Sequence, residues 1–260
     1  MTQNKFVAVA KRAVLAGGKV ALAGFQKLDR SQVAIKKRDQ ELVTKYDIAA
    51  ERVIRRVILQ SFPGAYILGE EKGRSGKKSP YQWAIDPIDG TTNFTIHSPE
   101  FGVSVGVLYN GQSIAGAIYI PVTKELFWAS KGRGAYLGGR KIKVSGVDSF
   151  DRAVIDFEFS HEKNYSVQIL PWFEKLTARG IKLRHFGCDT LSLSYLACGR
   201  IDATIMSAAK PWDVAAGQLI ATEAGAKFTD INGRPVTDLS CPMIAGNVKI
   251  HKLLLGSLKR

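Results

Sequence analysis

A chain of 260 residues with 45% hydrophobic and 23% charged residues is long enough to bury a sizeable core and too apolar to be disordered. No stretch reaches the roughly 18 uninterrupted apolar residues of a membrane span, so no membrane is expected as a partner. The net charge of +14 draws in anions, phosphorylated metabolites or nucleic acid, but no nucleic-acid motif and no long run of like charge accompanies it. Basic clusters at Lys36-Lys37-Arg38, 72–78, 140–143 and Lys259-Arg260 therefore read mainly as solvated surface, with nucleic acid open as a partner that no motif supports.

In chain order, residues 6–25 are rich in Ala, Val and Leu but broken by Lys11, Arg12 and Lys19. They read as an amphipathic helix, with a basic transit peptide as the alternative. A polar loop is expected over 29–40 and a second helix over 44–61, where Ile48, Ile54 and Ile58 give helical spacing. After Phe62-Pro63-Gly64 the period shortens, predicting strands at 65–69 and 81–85 around a Lys/Gly/Ser loop at 72–79. Asn110-Gly111 marks a hairpin between strands 101–109 and 113–120, and further strands follow at 126–130 and 134–137. Past Gly146 strand and helix alternate: strand 153–159, helix 165–179, strand 181–185, helix 191–199, strand 203–206 and helix 214–224, which Gly225 can close. The pattern predicts a mixed α/β chain, one domain over 1–260 made of an N-terminal half, 1–146, and a C-terminal half, 147–260.

The stretch that carries chemistry is Trp83-Ala84-Ile85-Asp86-Pro87-Ile88-Asp89-Gly90-Thr91-Thr92-Asn93-Phe94. Apolar residues up to Ile85 read as a buried strand, so Asp86 stands where the strand meets solvent and Asp89 follows beyond a rigid proline. Two carboxylates on a stiff turn repel each other unless a cation lies between them, and hard oxygens suit Mg²⁺. Gly90 permits close backbone approach, and the residues after it can open a helix whose N–H groups cradle a phosphate. Asp-Pro and Asp-Gly are each ordinary turn formers. The whole string is far too specific to be a turn alone.

That string resembles the signature of the inositol monophosphatase family, and the resemblance extends along essentially the whole chain. Leu42-Val43-Thr44 with Asp47, Gly69-Glu70-Glu71, Gly132-Arg133-Gly134-Ala135 with Val144-Ser145, and Trp212-Asp213-Val214-Ala215-Ala216-Gly217 match further family motifs in the same order. The resemblance implies a layered α/β/α/β/α sandwich, hydrolysis of a small sugar or polyol phosphate such as inositol 1-phosphate, a homodimer, and inhibition by lithium. It implies two to three Mg²⁺ ions: one held by Glu70, Asp86 and the carbonyl of Ile88, a second by Asp86, Asp89 and Asp213, and a looser third near Glu70. It also implies that Thr91, oriented by Asp47, helps Glu70 activate water, and that Gly90 and Thr91 offer N–H groups to the phosphate. Read without the family, Glu70 is a surface acid in a Glu-Glu-Lys turn, Asp213 an N-terminal cap or dipole partner, and Asp47 the acid of a capping box with Thr44.

Substrate choice is less legible than chemistry. Seven residues before Asp213, where the animal-type enzymes carry a sugar-binding glutamate, this chain has Met206, which offers no comparable hydrogen bonding. Gly187-Cys188-Asp189-Thr190 also departs from the Gly-Ser-Ala-Ala of those enzymes, and together with Lys210-Pro211-Trp212-Asp213 it resembles the histidinol-phosphatase branch. Asp189 is thus a candidate specificity residue able to meet a hydroxyl or an amine, or else a helix N-cap. Fructose-bisphosphatase and nucleotide-phosphatase activities remain on the same scaffold, and a basic RNA- or protein-binding module is the reading from a different class. Gly102-Val103-Ser104-Val105-Gly106 matches a nucleophile elbow, but valines flank the serine and the strand runs on, so a plain strand is expected. Cys188, Cys198 and Cys241 form no C-x-x-C pair, which fits a reducing compartment with the cytoplasm as default. His97, His161, His185 and His251 lack metal-ligand spacing, with His97 the nearest in sequence to the site, and Trp212 reads as packing.

Overall fold

The computed structural model of the protein describes residues 3–36, 41–160, 163–236 and 242–258. Lys37, Arg38, His161, Cys241, Lys259 and Arg260 lie outside the described residues. The first half runs α1 (Gln3–Phe25), a 3₁₀ turn at Arg30–Gln32, β1 (Ala34–Ile35), β2 (Leu42–Val43), α2 (Lys45–Ser61), β3 (Tyr66–Gly69), β4 (Gly73–Ser75), β5 (Tyr81–Asp89) and α3 (Thr91–Thr95). It continues through β6 (Gly102–Tyr109), β7 (Gln112–Ile120), β8 (Glu125–Ser130), β9 (Ala135–Leu137) and β10 (Arg140–Ile142). Then come β11 (Val154–Glu158), α4 (Lys163–Ala178), β12 (Lys182–Arg184), α5 (Asp189–Ala197), β13 (Ala203–Met206), α6 (Pro211–Glu223), β14 (Lys227–Asp230), β15 (Met243–Gly246) and α7 (Val248–Leu258).

These elements stack as α/β/α/β/α. An eight-stranded sheet, ordered β10-β9-β8-β7-β6-β5-β3-β4, is antiparallel except where β3 runs parallel to β5. The Asn110-Gly111 turn joins β6 to β7 with both residues at positive φ, 48° and 79°, the pairing that matches strand twist in a two-residue hairpin. Helices α1 and α2 cover one face, where Phe6, Val14, Ile54 and Ile58 pack on Trp83, Ile85, Val103 and Val105. Burying such side chains contributes about 1.5–3 kcal/mol each. Helices α5 and α6 lie on the opposite face and separate it from a five-stranded sheet ordered β12-β11-β13-β15-β14. On the far side of that second sheet, Ile169 and Leu176 of α4 and Ile250 and Leu254 of α7 pack with Ile155, Phe157 and Ile205.

Two details of packing set the site. Gly106 and Gly116 are cross-strand partners, and a Cβ on either would lie 2.8 Å from Ala215 Cβ or 2.9 Å from Ala216 Cα. The pair lets α6 lie directly on the sheet, which carries Asp213 of its first turn toward the end of β5. In β11 and β13 the residues alternate faces with the period of two that a strand imposes. Ile155, Phe157, Ala203 and Ile205 face α4 and α7, while Glu158 and Met206, register partners, face α5.

Several short elements depart from the sequence expectation. The stretch 29–40 holds a 3₁₀ turn and β1, which pairs with β2, and the loop at 72–79 holds β4. Strands β10, β14 and β15 and helix α7 carry no signal that the periodicity picked out.

Candidate active site

Strands β3 and β5 run parallel, and Glu70 N donates to Ile85 O at 3.2 Å just past the end of β3. Glu70 is thereby set beside Asp86, at the carboxyl ends of two parallel strands, where α/β sheets commonly present ligands. Register between β5 and β6 shifts between Asp86 and Asp89, so the chain bulges there. Asp86 is 2% exposed and its Oδ1 accepts Ile88 N at 2.9 Å. Gly90 follows at φ +84°, a conformation that disfavours any side chain, and a Cβ there would lie 2.8 Å from Glu100 O. The short helix α3 starts after Gly90 with no side-chain cap.

Asp47 is buried and makes both contacts that its two readings require. Its Oδ2 accepts Thr44 N at 2.8 Å and Thr44 Oγ1 at 2.6 Å, closing the capping box of α2. Its Oδ1 lies 3.3 Å from Thr91 Oγ1, whose single proton has the Ile88 carbonyl at 3.0 Å as its nearer acceptor. Asp213 sits at the third position of α6 and its Oδ2 accepts Lys210 N at 2.6 Å, so it serves the helix as a capping-box acid while facing the cavity. Asp89 Oδ2 accepts Thr190 N at 2.6 Å, from the first turn of α5, and the Cys188 thiol at 3.3 Å.

A cavity of about 290 Å³ brings these groups together. Glu70, Asp86, Ile88, Asp89, Gly90, Thr91, Asp189 and Asp213 all line it, and Asp47 reaches it through Thr91. Met206 does not. It is fully buried in an apolar cluster with Leu191 and Leu193, and it is not among the lining residues, so its side chain is part of the packing and not of the substrate surface. Asp189 is not the N-cap that the sequence allowed: Cys188 holds that position, and Asp189 is the first helical residue. His97 turns away, its Nε2 lying 3.2 Å from Leu28 O, and Trp212 packs on Ala84, Leu108 and Ala215 while its edge reaches the wall. Sequence reasoning missed Glu158, His185 and Lys210, which also line the cavity. The expected strand runs on to Phe159 with Glu158 inside it, and only the observed end of β11 at Glu158 brings this acid to the cavity.

Burial raises the proton affinity of Asp86, and the charges of Glu70, Asp89 and Asp213 raise it further. Burial likewise raises that of Glu70, against the opposing charge of Lys36, and lifts Asp213 to about 8, with Asp89 as the next contributor. Asp89 is raised by burial and held back by Thr190 and Cys188. Lys36 Nζ lies 2.6 Å from Glu70 Oε1 and 2.7 Å from Glu71 Oε1. Burial alone would weaken its hold on the proton; Glu70 and then Glu71 outweigh this and raise its pKa. Among the described residues no three Asp, Glu, His or Cys side chains meet at one point as ligands of a single ion do. Glu70 is turned onto Lys36, whose ammonium supplies the positive charge at that carboxylate. The donor chemistry nevertheless fits a hard cation: all-oxygen, acidic, crowded and mutually repelling.

Comparison with known proteins places this geometry. The inositol monophosphatase family matches residues 2–260. The chain belongs to the inositol monophosphatase family. Among curated relatives, a fructose-1,6-bisphosphatase/inositol-1-monophosphatase of Aquifex aeolicus is 36% identical over 99% of this chain and 96% of its own. A Nus factor SuhB of Pseudomonas aeruginosa is 35% identical over 96% of this chain and 94% of its own. Among solved structures, an inositol monophosphatase from Anabaena superimposes with a TM-score of 0.87 at 33% identity, over 98% of this chain and 96% of that one. The extragenic suppressor protein suhB from Bartonella henselae gives 0.89 at 31%, over 97% and 98%. As an inositol monophosphatase family member the protein is a phosphoric monoester hydrolase acting on small phosphorylated substrates, in a family that is generally metal-dependent. Among the described residues no helix is long and apolar enough to cross a membrane.

Proposed function

We propose that the cavity hydrolyses the phosphate monoester of a small polyol or sugar in a Mg²⁺-dependent reaction, with inositol 1-phosphate as the reference compound. The observation that carries this reading is Asp86: buried at the bulged end of β5, it shares one cavity with Glu70, Asp89 and Asp213 and feels the charge of all three. The fold uses Asp213 as a capping-box acid and Asp89 as an acceptor of Thr190 N, but it gains nothing from crowding four carboxylates together, which destabilises it when uncompensated. Glu70, Asp86 and the Ile88 carbonyl would hold one ion, Asp86, Asp89 and Asp213 a second, and a third would lie near Glu70. Bound there, Mg²⁺ supplies Lewis-acid charge that neutralises the phosphate and favours ionisation of the attacking water. Glu70, released from Lys36, accepts that proton at its carboxylate, and Thr91 Oγ1, held between Asp47 and the Ile88 carbonyl, orients the water. The N–H groups of Gly90 and Thr91 bind phosphate oxygens, which the positive φ of Gly90 allows to approach closely. The family resemblance extends the proposal to a homodimer, lithium inhibition and a cytoplasmic setting, and to one domain in which α5 and α6 serve both sheets.

The test is phosphate release from inositol 1-phosphate, histidinol phosphate, fructose 1,6-bisphosphate, adenosine 3′,5′-bisphosphate and NADP, each with Mg²⁺ and with chelator. Release from at least one ester only with Mg²⁺ is expected. Release from none by folded protein would remove the reading. The relatives named Nus factor SuhB and the net charge of +14 favour a second one, in which the basic surface carries an anionic macromolecule. Retention on RNA that falls steeply between low and high salt would support it.

A further inference from the structure

We infer that Glu51 and Arg55 of α2 are positioning residues for the proposed cation site: they clamp the turn between β3 and β4 and so fix where Glu70 presents its carboxylate. The inference rests on the phosphatase reading above and adds to it two residues that do not line the cavity.

The inward stripe of α2 runs through Asp47, Ala50, Glu51, Ile54, Arg55 and Ile58, so an acid and a base stand where the helical period asks for apolar side chains. Glu51 is fully buried and Arg55 is 8% exposed. Arg55 Nε donates to Glu51 Oε1 at 2.7 Å, one turn along the helix. A buried ion pair is by itself weak evidence of stability, because desolvation offsets its attraction. The other hydrogen bonds of the pair show what it does.

All of them go to one hairpin. Residues 70–72 connect β3 to β4, and Gly69 and Gly73 on either side are register partners. Glu70 N is taken by Ile85 O, as described above. Glu51 takes the other two N–H groups of the turn: Glu71 N donates to Oε2 at 2.8 Å and Lys72 N to Oε1 at 3.1 Å. Arg55 holds the strand that leaves the turn, with Nη2 donating to Gly73 O at 2.7 Å and Nη1 to Ser75 Oγ at 2.5 Å. Every N–H of the turn is thereby held from outside the hairpin. Gly69 makes the approach possible, since a Cβ there would lie 2.6 Å from Arg55 Nη2 and 2.8 Å from Glu51 Cδ.

Glu70 needs this help more than its neighbours do. Asp86, Asp89 and Asp213 are each aimed by a backbone N–H at their own carboxylate, from Ile88, Thr190 and Lys210. The carboxylate of Glu70 has no such donor among the described residues; it meets the side chains of Lys36 and Asp86. Its placement therefore depends on where the backbone of the turn lies, and the clamp supplies through the main chain what the other three carboxylates receive at their oxygens. Groups that orient a metal ligand typically change metal affinity about 10- to 100-fold when they are removed.

The test begins with the native chain in chelator. Amide hydrogen exchange should show Glu71 and Lys72 protected although they lie in a turn, and exchange at the rate of an open turn would overturn the clamp. Mn²⁺ binding is then measured by calorimetry on the native chain, on Arg55→Lys and on Glu51→Gln, with a melt of each. Arg55→Lys keeps the charge but not the fork that reaches Gly73 and Ser75, and it is the milder change should Glu51→Gln fail to fold. One ion is expected to bind about tenfold more weakly in each folded variant. The decisive comparison places Arg55→Lys in a Glu70→Ala background. There the ion left to Asp86, Asp89 and Asp213 should bind equally well with and without Arg55→Lys, because the residue through which Arg55 acts is gone. A merely structural role would weaken that ion too. Such weakening, or native Mn²⁺ affinity in the folded single variants, overturns the positioning role while the metal-dependent reading stands. No Mn²⁺ binding by the native chain would sink that reading and the positioning role with it, and protected amides would then mark a feature of the fold alone.

Discussion

The two walls of the cavity are built by the same device and end in opposite chemistry. On one wall the parallel pair β3 and β5 ends in Glu70 and Asp86; on the other the parallel pair β11 and β13 ends in Glu158 and Met206. The first wall gathers its carboxylates with a bulge, a left-handed glycine and the first turn of α6, and crowds them until they repel. The second also holds neighbouring acids, since Asp156 adds to what burial does in raising the proton affinity of Glu158, but it ties both into the protein: Asp156 accepts Thr204 Oγ1 and Glu158 accepts Ser192 Oγ. Four carboxylates that repel one another call for divalent charge, whereas acids met by neighbouring hydroxyl donors are held by the protein itself. A strand end therefore places a carboxylate, and the neighbours it meets there decide which ligand it is fit for.

The largest effect separates the walls outright. Asp89→Asn is expected to lower Mg²⁺-dependent turnover by about a thousandfold or more, because it removes charge from the divalent site. The fold should survive, and melting in chelator should rise, since one repelling carboxylate is gone. Phosphate-release kinetics and a thermal melt decide it; near-normal turnover would take Asp89 out of the metal site.

The next is a pH dependence confined to the first wall. Asp213 is lifted to about 8, and Asp86 and Glu70 lie well above the usual carboxylate range. A folded-state pKa raised in this way means that the native protein holds its protons more tightly than the unfolded chain does. The associated stability is fully present below the unfolded value near 3.8 and is lost as pH rises through the folded one. In chelator the melting temperature should therefore fall from pH 5 to pH 8, and Mg²⁺ should flatten the slope. A flat curve in chelator would mean that the carboxylates are not crowded as described.

Lys36→Met should then lower the Mg²⁺ concentration for half-maximal activity by about threefold to tenfold, because the ammonium now 2.6 Å from Glu70 competes with the ion for that carboxylate. A Mg²⁺ titration of activity reads it, and an increase in the requirement would show that Lys36 helps to hold the ion. On the second wall, Met206→Leu should change stability by less than about 1.5 kcal/mol and leave activity alone. Met206→Glu should lower the melting temperature, because the new carboxylate lands in an apolar cluster beside Glu158. An unperturbed melt of that variant would show that position 206 reaches solvent after all.

The same contrast explains what the sequence disclosed. The first wall is written in one stretch, from Trp83 to Phe94, with its partners at strand and helix ends that periodicity locates. The hairpin at Asn110-Gly111 and the burial of α1 and α2 follow from local rules, so the eight-stranded sheet was legible apart from its short edge strands β4 and β10. The second wall depends on pairings distant in sequence. Glu158 gains its meaning only when β11 lies beside β13, 48 residues on, and Ser192 reaches it from α5. Strands β14 and β15 have four residues each and lack an alternating polar face, so nothing distinguished them from loop. Asp189 was visible as a candidate, but its two local readings could not be separated until Cys188 took the cap position.

The most direct test of the division between the walls is a crystal of the protein soaked in Mn²⁺ and inorganic phosphate, examined by anomalous scattering. The account predicts ions about 2.1 Å from oxygens of Glu70, Asp86, Asp89 and Asp213, phosphate against Gly90 and Thr91, and no ion at Glu158 or Asp189. Ions bound at Glu158 and Asp189, or a first wall without metal, would contradict it.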